Sequence, residues 1–521
     1  MRRGLRPLPR SLKHSRVVIP HPFRLCSHAA PSSAATASIP PTTSHPSKPA
    51  ADHRLLATEQ GLFTTDPAAP GSPLLLPNGA RVFGRLVDFL RAQYRLFGFE
   101  EVVTPIIYKQ SLWEQSGHWD NYKDDMYEVS PRGATARTGG REVSEDEVFG
   151  LKPMNCPGHC LLFKAQKRGY TQLPIRYADF GPLHRNEVSG ALSGLTRVRK
   201  FHQDDGHIFC RPSQISSEIG STLDFVAMVY KTFKLPSFKL VLSTRPTDHY
   251  IGTVQDWDGA EDALKVALDS SGRQWTIAEG DGAFYGPKID IILKDSDGKE
   301  HQTATVQLDF QLPQRFDLQY RAPAPELEQK GLQTTDPQLL EHSGPVTPVI
   351  IHRAILGSLE RFMALLIEHY NGRWPFWLSP RQAIVLTAGY NHSTELKAYI
   401  SSTLETITGV RVVRDAEDGT MNPAQPNAQA FNVDVDDSDR SLGKKVREAK
   451  HMGYNIIVVV GEKGMKKGMV DIDITGQRDV VASSAVLQDV LAGEVTGDLR
   501  AVGLAPEQVF RLFSKLAMSF E

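Results

Sequence analysis

Cysteine is the first scarcity. Only Cys26, Cys156, Cys160 and Cys210 stand in 521 residues, too few to staple a chain of this length, so a disulfide scaffold is excluded. No apolar run approaches the ~18 residues of a membrane-spanning helix, which argues against a transmembrane protein. No Gly-x-x-x-x-Gly-Lys-Ser/Thr occurs, so phosphate binding here does not use a P-loop. No fixed-period repeat is present. Acid is missing from residues 1–51 altogether: the first is Asp52, while Arg2, Arg3, Arg6, Arg10, Lys13, Arg16, Arg24 and Lys48 precede it. The formal net charge of −1, from 59 Lys+Arg against 60 Asp+Glu, therefore hides a segregation. The leader carries +8, and the remainder, with 51 bases against 60 acids, carries −9. At 40% hydrophobic and 23% charged residues, the body can bury ordinary cores, and its length suggests roughly two to four domains.

The leader is rich in Arg, Ser, Ala and Pro, the composition of an organellar transit peptide, and it lacks the apolar core of a secretory signal. Seven prolines between Pro20 and Pro49 argue against a packed fold there. A basic disordered arm that binds nucleic acid or membrane is the alternative reading.

In the body, Pro77-Asn78-Gly79-Ala80 reads as a turn. Helical spacing of Val82, Phe83, Leu86, Phe89, Leu90 and Tyr94 predicts a helix over Arg81–Phe97, with Gly98 as its C-terminal stop. The β-branched run Val102–Ile107 predicts a strand, placed at an edge or interface by Pro105. Residues 131–148 and about 321–345 read as polar surface loops. Strand-like runs recur through 175–210 and 284–310, and Ala354–Tyr370 is helical by period. From about Pro380 strands and helices alternate: Ala383–Leu386 strand, Thr394–Leu404 helix, Val410–Val413 strand, a turn-rich insertion over 415–430, Leu442–Met452 helix and Ile456–Val460 strand. That pattern predicts a small α/β unit with a covered sheet, followed by an amphipathic helix over Pro506–Phe520.

Three clusters carry chemistry. His184-Arg185-Asn186-Glu187 and Arg197-Val198-Arg199-Lys200-Phe201-His202-Gln203-Asp204-Asp205-Gly206-His207 read as two strands joined by a flexible hairpin. Arginines beside an aromatic suit a nucleoside triphosphate, because guanidinium groups clamp phosphates and a ring can stack on a base; surface ion pairs are the competing reading. In the second cluster, His352 to Arg361, a strand runs into a helix, with Gly357 and Ser358 small enough for close approach. In the third, Asn155-Cys156-Pro157-Gly158 reads as a tight turn exposing the Cys156 thiol at a rim. No second Cys pair with finger spacing follows, so a closed structural zinc site is excluded, whereas a three-ligand catalytic site can draw on distant segments.

Taken together, Met-Asn-Cys-Pro-Gly-His, His-Arg-Asn-Glu, Gln-Asp-Asp-Gly-His-Ile-Phe-Cys, Phe-Tyr-Gly-Pro-Lys-Ile-Asp, Val-Gln-Leu-Asp-Phe and His-Arg-Ala-Ile-Leu-Gly-Ser resemble, in order, the class II aminoacyl-tRNA synthetases, specifically those for threonine. The resemblance covers roughly residues 60–475, and the leader makes the chain look like a mitochondrial form. It implies an α+β fold: a class II antiparallel-sheet catalytic domain with a C-terminal α/β anticodon-binding domain. The expected division is a disordered transit peptide over 1–51, catalytic domain 52–379, anticodon-binding domain 380–480 and a C-terminal helical extension 481–521. It implies ATP-dependent ligation of L-threonine to tRNA(Thr) through a threonyl-adenylate in the mitochondrial matrix, by a homodimer joined around Pro105, with no membrane partner.

The same resemblance assigns roles. Arg185, Arg361 and His118 are the expected catalytic residues, His118 matching a proton relay for transfer to tRNA. Arg185, Glu187, Arg197, Phe201, Gln302 and Arg361 are expected on ATP, with Arg199 an alternative to Arg197. Gln203, Asp205, Tyr285 and Gln307 are expected on threonine. Cys156, His207 and His352 match the ligands of a catalytic zinc (Zn2+), and Mg2+ is expected with ATP. The zinc accounts for selectivity, since threonine's amino and hydroxyl groups can both coordinate it and valine cannot. Relatives carry an N-terminal editing region that is not expected here. The resemblance implies that relatives often carry an acid where Gly464 stands and a base near Asp473, so the anticodon-reading residues differ from that pattern here. Basic strips at Arg440, Lys444, Lys445, Arg447, Lys450 and at Lys463, Lys466, Lys467 suit RNA phosphates or a solvated face. A proline, serine or histidine synthetase, or a non-catalytic tRNA-binding paralogue, is the competing class; the joint Cys156, His207 and His352 pattern and the retained Arg185 and Arg361 argue against both.

Overall fold

The computed structural model describes residues 51–130, 148–248, 250–294, 300–388, 393–410, 420–425, 428–493 and 498–521. The leader apart from Ala51, nearly all of the 131–148 loop and all but Val410 of the expected strand Val410–Val413 lie outside the described residues.

A nine-stranded sheet dominates. Its order is Trp275–Ala278, Phe238–Ser243, Lys288–Lys294, Glu300–Asp309, Val349–Ser358, Lys200–Cys210, Ile175–Asp179 and Glu100–Glu101, with Pro182–His184 also paired to Lys200–Cys210. The inner pairs are antiparallel, and the outermost pair at each edge is parallel. Val349–Ser358 is buried along nine of its ten residues, so neither face of this strand meets solvent. One face packs against the helices Ile215–Thr232 and Leu359–His369, which share a single core with Pro77–Leu96. The opposite face is left for the site.

Several elements differ from expectation, each for a local reason. Pro77–Ala80 is the first turn of the helix Pro77–Leu96 rather than a free turn. Proline is tolerated where the helix has no N–H to use, Asn78 Nδ2 donates to the carbonyl of Gln60 at 2.8 Å, and a Cβ on Gly79 would lie 1.9 Å from the Leu62 oxygen. Val102–Ile107 is not one strand: the strand Glu100–Glu101 ends before it and the next begins at Ile107, with single backbone bonds from Val102 N to Ala178 O and from Lys152 N to Ile106 O, each at 2.8 Å, and Val103 is 88% exposed. Residues 321–345 are ordered, with Tyr320–Pro323 pairing antiparallel with Ser343–Val346. Between them the buried Glu328 is clamped by both Nε and Nη2 of Arg211 and by the Tyr320 hydroxyl at 2.8 Å. The strand Val349–Ser358 continues through Ala354–Leu356, so the helix begins only at Leu359. The Asp204 carboxylate holds that extension by accepting from Ile355 N and Leu356 N at 2.8 and 3.0 Å. Gly357 (φ +69°) then turns the chain, and the Ser358 hydroxyl caps Arg361 N.

The second sheet has the order Val433–Asp436, Ala383–Thr387, Ile456–Val460, Val470–Asp473 and Val502–Leu504, parallel across the first three strands and antiparallel beyond. The helices Thr394–Thr408, Val480–Leu491 and Pro506–Met518 contribute to one core, and residues around Leu442–His451 cover the other face. Residues 481–521 thus supply a strand and two helices to this unit instead of an appendage. Gly464 and Asp473 are both fixed by their surroundings. A Cβ on Gly464 would lie 2.5 Å from the Met469 oxygen, so no acidic side chain fits, and Asp473 is ion-paired with Lys450 at 2.8 Å. Lys445, expected in a basic strip, is buried, with Nζ donating to the carbonyls of Thr387 and Asp436, each at 3.1 Å. No helix among the described residues is long and apolar enough to cross a membrane.

Candidate active site

Register brings the site together. His352 stands opposite His207 on one neighbouring strand and opposite Gln307 on the other. Cys156 is the first residue of the helix Cys156–Lys164, with Pro157 in its first turn, so the thiol is buried and does not project from a rim turn. The ligand atoms of Cys156, His207 and His352 lie within 4.8 Å of one another. His207 Nε2 and His352 Nδ1 are buried without a hydrogen-bond partner.

The opposite nitrogen of each ring is held from behind. His352 Nε2 lies 2.8 Å from Asp309 Oδ2, and the other Asp309 oxygen accepts from Gln311 N and Leu312 N at 2.7 and 3.0 Å. His207 Nδ1 lies 2.8 Å from His159 Nδ1, whose Nε2 faces Asp179 at 4.0 Å. Asp179 in turn accepts from the Thr104 hydroxyl at 2.6 Å and pairs with the buried Lys152. Buried imidazoles oriented by carboxylates, with lone pairs aimed at a shared point, are the usual outer arrangement of a metal site. Burial pushes the Cys156 thiol well up and, with His352 and His159 nearby, the His207 ring well down. One sulfur and two neutral imidazole nitrogens suit a borderline-soft divalent ion with a fourth position open, and a bound cation would reverse the penalty on the thiolate. The donor set therefore fits zinc.

Two adjoining cavities meet at this face. One, about 350 Å³, is lined by Cys156, Asp205, Tyr285, Gln307 and His352 together with Arg185 and Gln203. Tyr285 Oη donates to Gln307. Asn155 Nδ2 donates to Asp205 at 3.1 Å, and burial pushes that carboxyl up to about 6. The other cavity, about 380 Å³, is lined by Glu187, Arg197, Phe201, Gly357 and Arg361, again with Arg185 and Gln203. The Arg185 guanidinium sits 5.0 Å from the Phe201 ring centre and 5.8 Å from that of Tyr122. Burial, and then the nearby Arg185, lowers Arg361 below the usual guanidinium range, so two cations face one space ready for anionic groups. A Cβ on Gly357 would lie 2.7 Å from the Thr303 oxygen and 3.1 Å from Arg361 Nη2, so only glycine leaves this wall open.

Two expected residues lie apart. Gln302 is exposed, donates to Asp290 and, at 2.9 Å, to Thr305, and lines neither cavity. His118 is buried one ring back, edge-on to Phe284 at 6.5 Å, with Nδ1 2.7 Å from the Ser116 hydroxyl. Desolvation, then the nearby His352, pushes it down to about 4. Between the two candidate loop arginines, Arg197 lines the cavity and pairs with Glu187, whereas Arg199 is turned onto Glu187 O and Ser189 Oγ. Asp309, His159, Asp179 and Tyr122 escaped the sequence reading as functional residues. Asp309 and His159 lie inside recognisable motifs, whereas Asp179 has no local signal.

Comparison with known proteins bears on this geometry. Residues 141–330 match the family "tRNA synthetase class II core domain (G, H, P, S and T)", and residues 423–483 match the family "Anticodon binding domain". The chain is 48% identical over 424 residues to the probable mitochondrial threonine–tRNA ligase of Schizosaccharomyces pombe, covering 81% of this chain and 84% of that protein. It is 45% identical over 425 residues to the mitochondrial threonine–tRNA ligase of Saccharomyces cerevisiae, covering 80% and 84%. The crystal structure of the RNA binding domain of threonyl-tRNA synthetase from Cryptosporidium parvum superposes with a TM-score of 0.72 at 42% identity, covering 89% of this chain and 98% of that one.

Proposed function

The chain belongs to the threonine–tRNA ligase family of class II aminoacyl-tRNA synthetases, and from that premise we propose how its residues perform the reaction. The enzyme joins L-threonine to tRNA(Thr) using ATP with Mg2+, through threonyl-adenylate. The observation that carries the residue assignment is that the two cavities share Arg185. A threonine carboxylate bound in one and an ATP α-phosphate bound in the other would both reach its guanidinium.

In the first step a threonine carboxylate oxygen bonds to the α-phosphorus, the bond from that phosphorus to the bridging oxygen of the β-phosphate breaks, and pyrophosphate leaves. Arg185 aligns the reacting groups and, with Arg361 and Arg197, stabilises charge on the phosphates. Phe201 offers a face for adenine and Glu187 an acceptor for its edge. Cys156, His207 and His352 would hold zinc, which when bound supplies a Lewis-acid position able to take threonine's amino and hydroxyl groups. Asp205 accepts the hydroxyl proton, while Gln203, Tyr285 and Gln307 close the pocket around the side chain. A pocket built for a hydroxyl rejects valine by about 10⁴-fold or more. In the second step a terminal ribose hydroxyl of the tRNA attacks the threonyl carbonyl and AMP leaves. We assign the relay of the ribose proton to His118, whose imidazole burial keeps neutral, as a proton acceptor must be; from behind Phe284 it takes that proton through a bridging water and not by direct contact.

The C-terminal unit, with its anticodon-binding family match, takes the tRNA. The run around Pro105, with the apolar Val103, Ile106 and Ile107 exposed, supports a homodimer joined along this edge. The basic leader and the mitochondrial relatives support a mitochondrial location, in the matrix where tRNA(Thr) is charged. The test is threonine-dependent pyrophosphate exchange in the wild type and Cys156→Ala, with zinc measured in both. Loss of zinc and exchange together is expected; retained zinc with full activity would overturn the assignment.

A further inference from the structure

The segment just after the leader touches the nucleotide cleft from behind. The helix His53–Gln60 is capped by Asp52, which also pairs with Arg54. His53 is buried and uses both ring nitrogens. Nδ1 lies 2.7 Å from Glu368 Oε1, and the His53 backbone N–H donates to the same oxygen at 3.2 Å. Nε2 accepts from Leu195 N at 3.2 Å. That last bond fixes the tautomer: an acceptor at Nε2 puts the proton on Nδ1, facing the carboxylate.

The two partners belong to the two halves of the cleft. Glu368 lies on the helix Leu359–His369, which carries Arg361. Leu195 lies in the loop that carries Arg197, in a tight turn where Ser193 O accepts from both Thr196 N and Arg197 N, so Leu195 N is turned outward to His53. A Cβ on Gly194 (φ +48°) would lie 2.2 Å from His53 Nε2, so the loop approaches the imidazole as closely as its backbone allows. The same segment holds the loop a second time: Arg199 N donates to Gly71 O at 2.6 Å. Asp52, His53 and Glu368 also come close enough to suggest a cation site, but Nε2 is occupied by an N–H and Asp52 by Arg54, so the cluster is held by protons.

We propose that His53 is a positioning residue for ATP: through one imidazole it ties the loop bearing Arg197 to the helix bearing Arg361 and so sets the spacing of the two arginines across the cleft. This rests on reading that cleft as the ATP site. His53 touches no substrate, and its effect is on the geometry of residues that do.

The test compares the full-length wild type with His53→Ala and His53→Gln in threonine-dependent pyrophosphate exchange. His53→Ala leaves the buried Leu195 N–H without an acceptor, and the expected rise in KM for ATP is about tenfold. KM for threonine and kcat should stay within about twofold. His53→Gln, whose amide oxygen can take the Leu195 N–H, should recover most of the loss. Trypsin cleavage after Arg197 and Arg199 should quicken in His53→Ala and slow again with ATP. A folded His53→Ala with wild-type KM for ATP would overturn the proposal, as would equal rises in both KM values with a lowered Tm, the mark of a merely structural role. If His53→Ala does not fold, Gly194→Ala, which pushes the loop off the imidazole, decides on the same readouts. A wild type without threonine-dependent exchange would overturn the reading of the cleft as well, whereas an active wild type with an indifferent variant overturns only the role of His53.

Discussion

Replacing Asp309 by asparagine exchanges one carboxylate oxygen for an NH2 group directly behind His352. The side chain is fully buried, with one oxygen accepting two backbone N–H groups and the other facing His352 Nε2 at 2.8 Å. Asparagine has two placements. With its oxygen on the backbone donors, its NH2 faces Nε2 and demands a lone pair there, which moves the imidazole proton to Nδ1, the nitrogen turned toward Cys156 and His207. With the amide reversed, NH2 meets two N–H groups and leaves buried donors unpaired at about 1–3 kcal/mol each. The first placement costs less, so the variant should fold and still present the wrong nitrogen to a metal. Loss of such an outer partner typically weakens metal binding about 10- to 100-fold, or about 1.4–2.8 kcal/mol. The assay is zinc release to a chromophoric chelator together with KM for threonine and for ATP. Faster release and a raised KM for threonine are expected, with KM for ATP unchanged because Asp309 lines neither cavity. Zinc released at the wild-type rate from folded Asp309→Asn would refute the reasoning.

Three further outcomes are expected of the same fold. Phe201→Ala should raise KM for ATP by about tenfold or more, since ring stacking on a base contributes about 1–3 kcal/mol; an unchanged KM would remove Phe201 from the adenine site. Lys445→Met strands the carbonyls of Thr387 and Asp436 and should lower stability by about 1–3 kcal/mol while leaving pyrophosphate exchange intact, as denaturant melts and exchange assays on one preparation can check. His118 titrates at about 4 in the fold and near 6.5 when unfolded, so between those values the unfolded chain binds more protons and stability falls on acidification, by about 3 kcal/mol over the window. His118→Asn should flatten that slope of stability against pH, and an identical slope would show that other groups carry it.

What was legible in the chain depended on whether the signal was local. Ile456–Val460 and Ala383–Leu386 are short apolar runs between turn residues, and only a covered strand suits them. Leu442–Met452 and Pro506–Phe520 carry a clear helical stripe. Ala354–Tyr370 misled because the strand Val349–Ser358 is buried on both faces, and a continuous apolar stretch satisfies periods of 2 and 3.6 alike. Pro77-Asn78-Gly79 misled because the same residues start helices and make turns; Leu62, which decides between them, is fifteen residues earlier. Cysteine and histidine could be named as candidate ligands from their motifs. That Asp309 backs His352 depends on which strand lies beside which, and that His159 backs His207 depends on where the helix Cys156–Lys164 packs on the sheet; no local pattern encodes either. Gln302 shows the converse, since a position in a motif does not say which way its side chain turns after a β-bulge.

The pairing of Gln307 with His352 and of His352 with His207 means that the two histidine ligands and the pocket wall are counted out along three neighbouring strands. Side chains alternate faces with period two, so one inserted or deleted residue in any of those strands would send its histidine or glutamine to the helix-covered side and bring an apolar neighbour, such as Ile351 or Ile208, to the substrate. Point substitutions here can be graded in their effect, but single-residue length changes cannot. A deletion scan across the chain should therefore show tolerated positions in the connections and none within 200–210, 300–309 or 349–358.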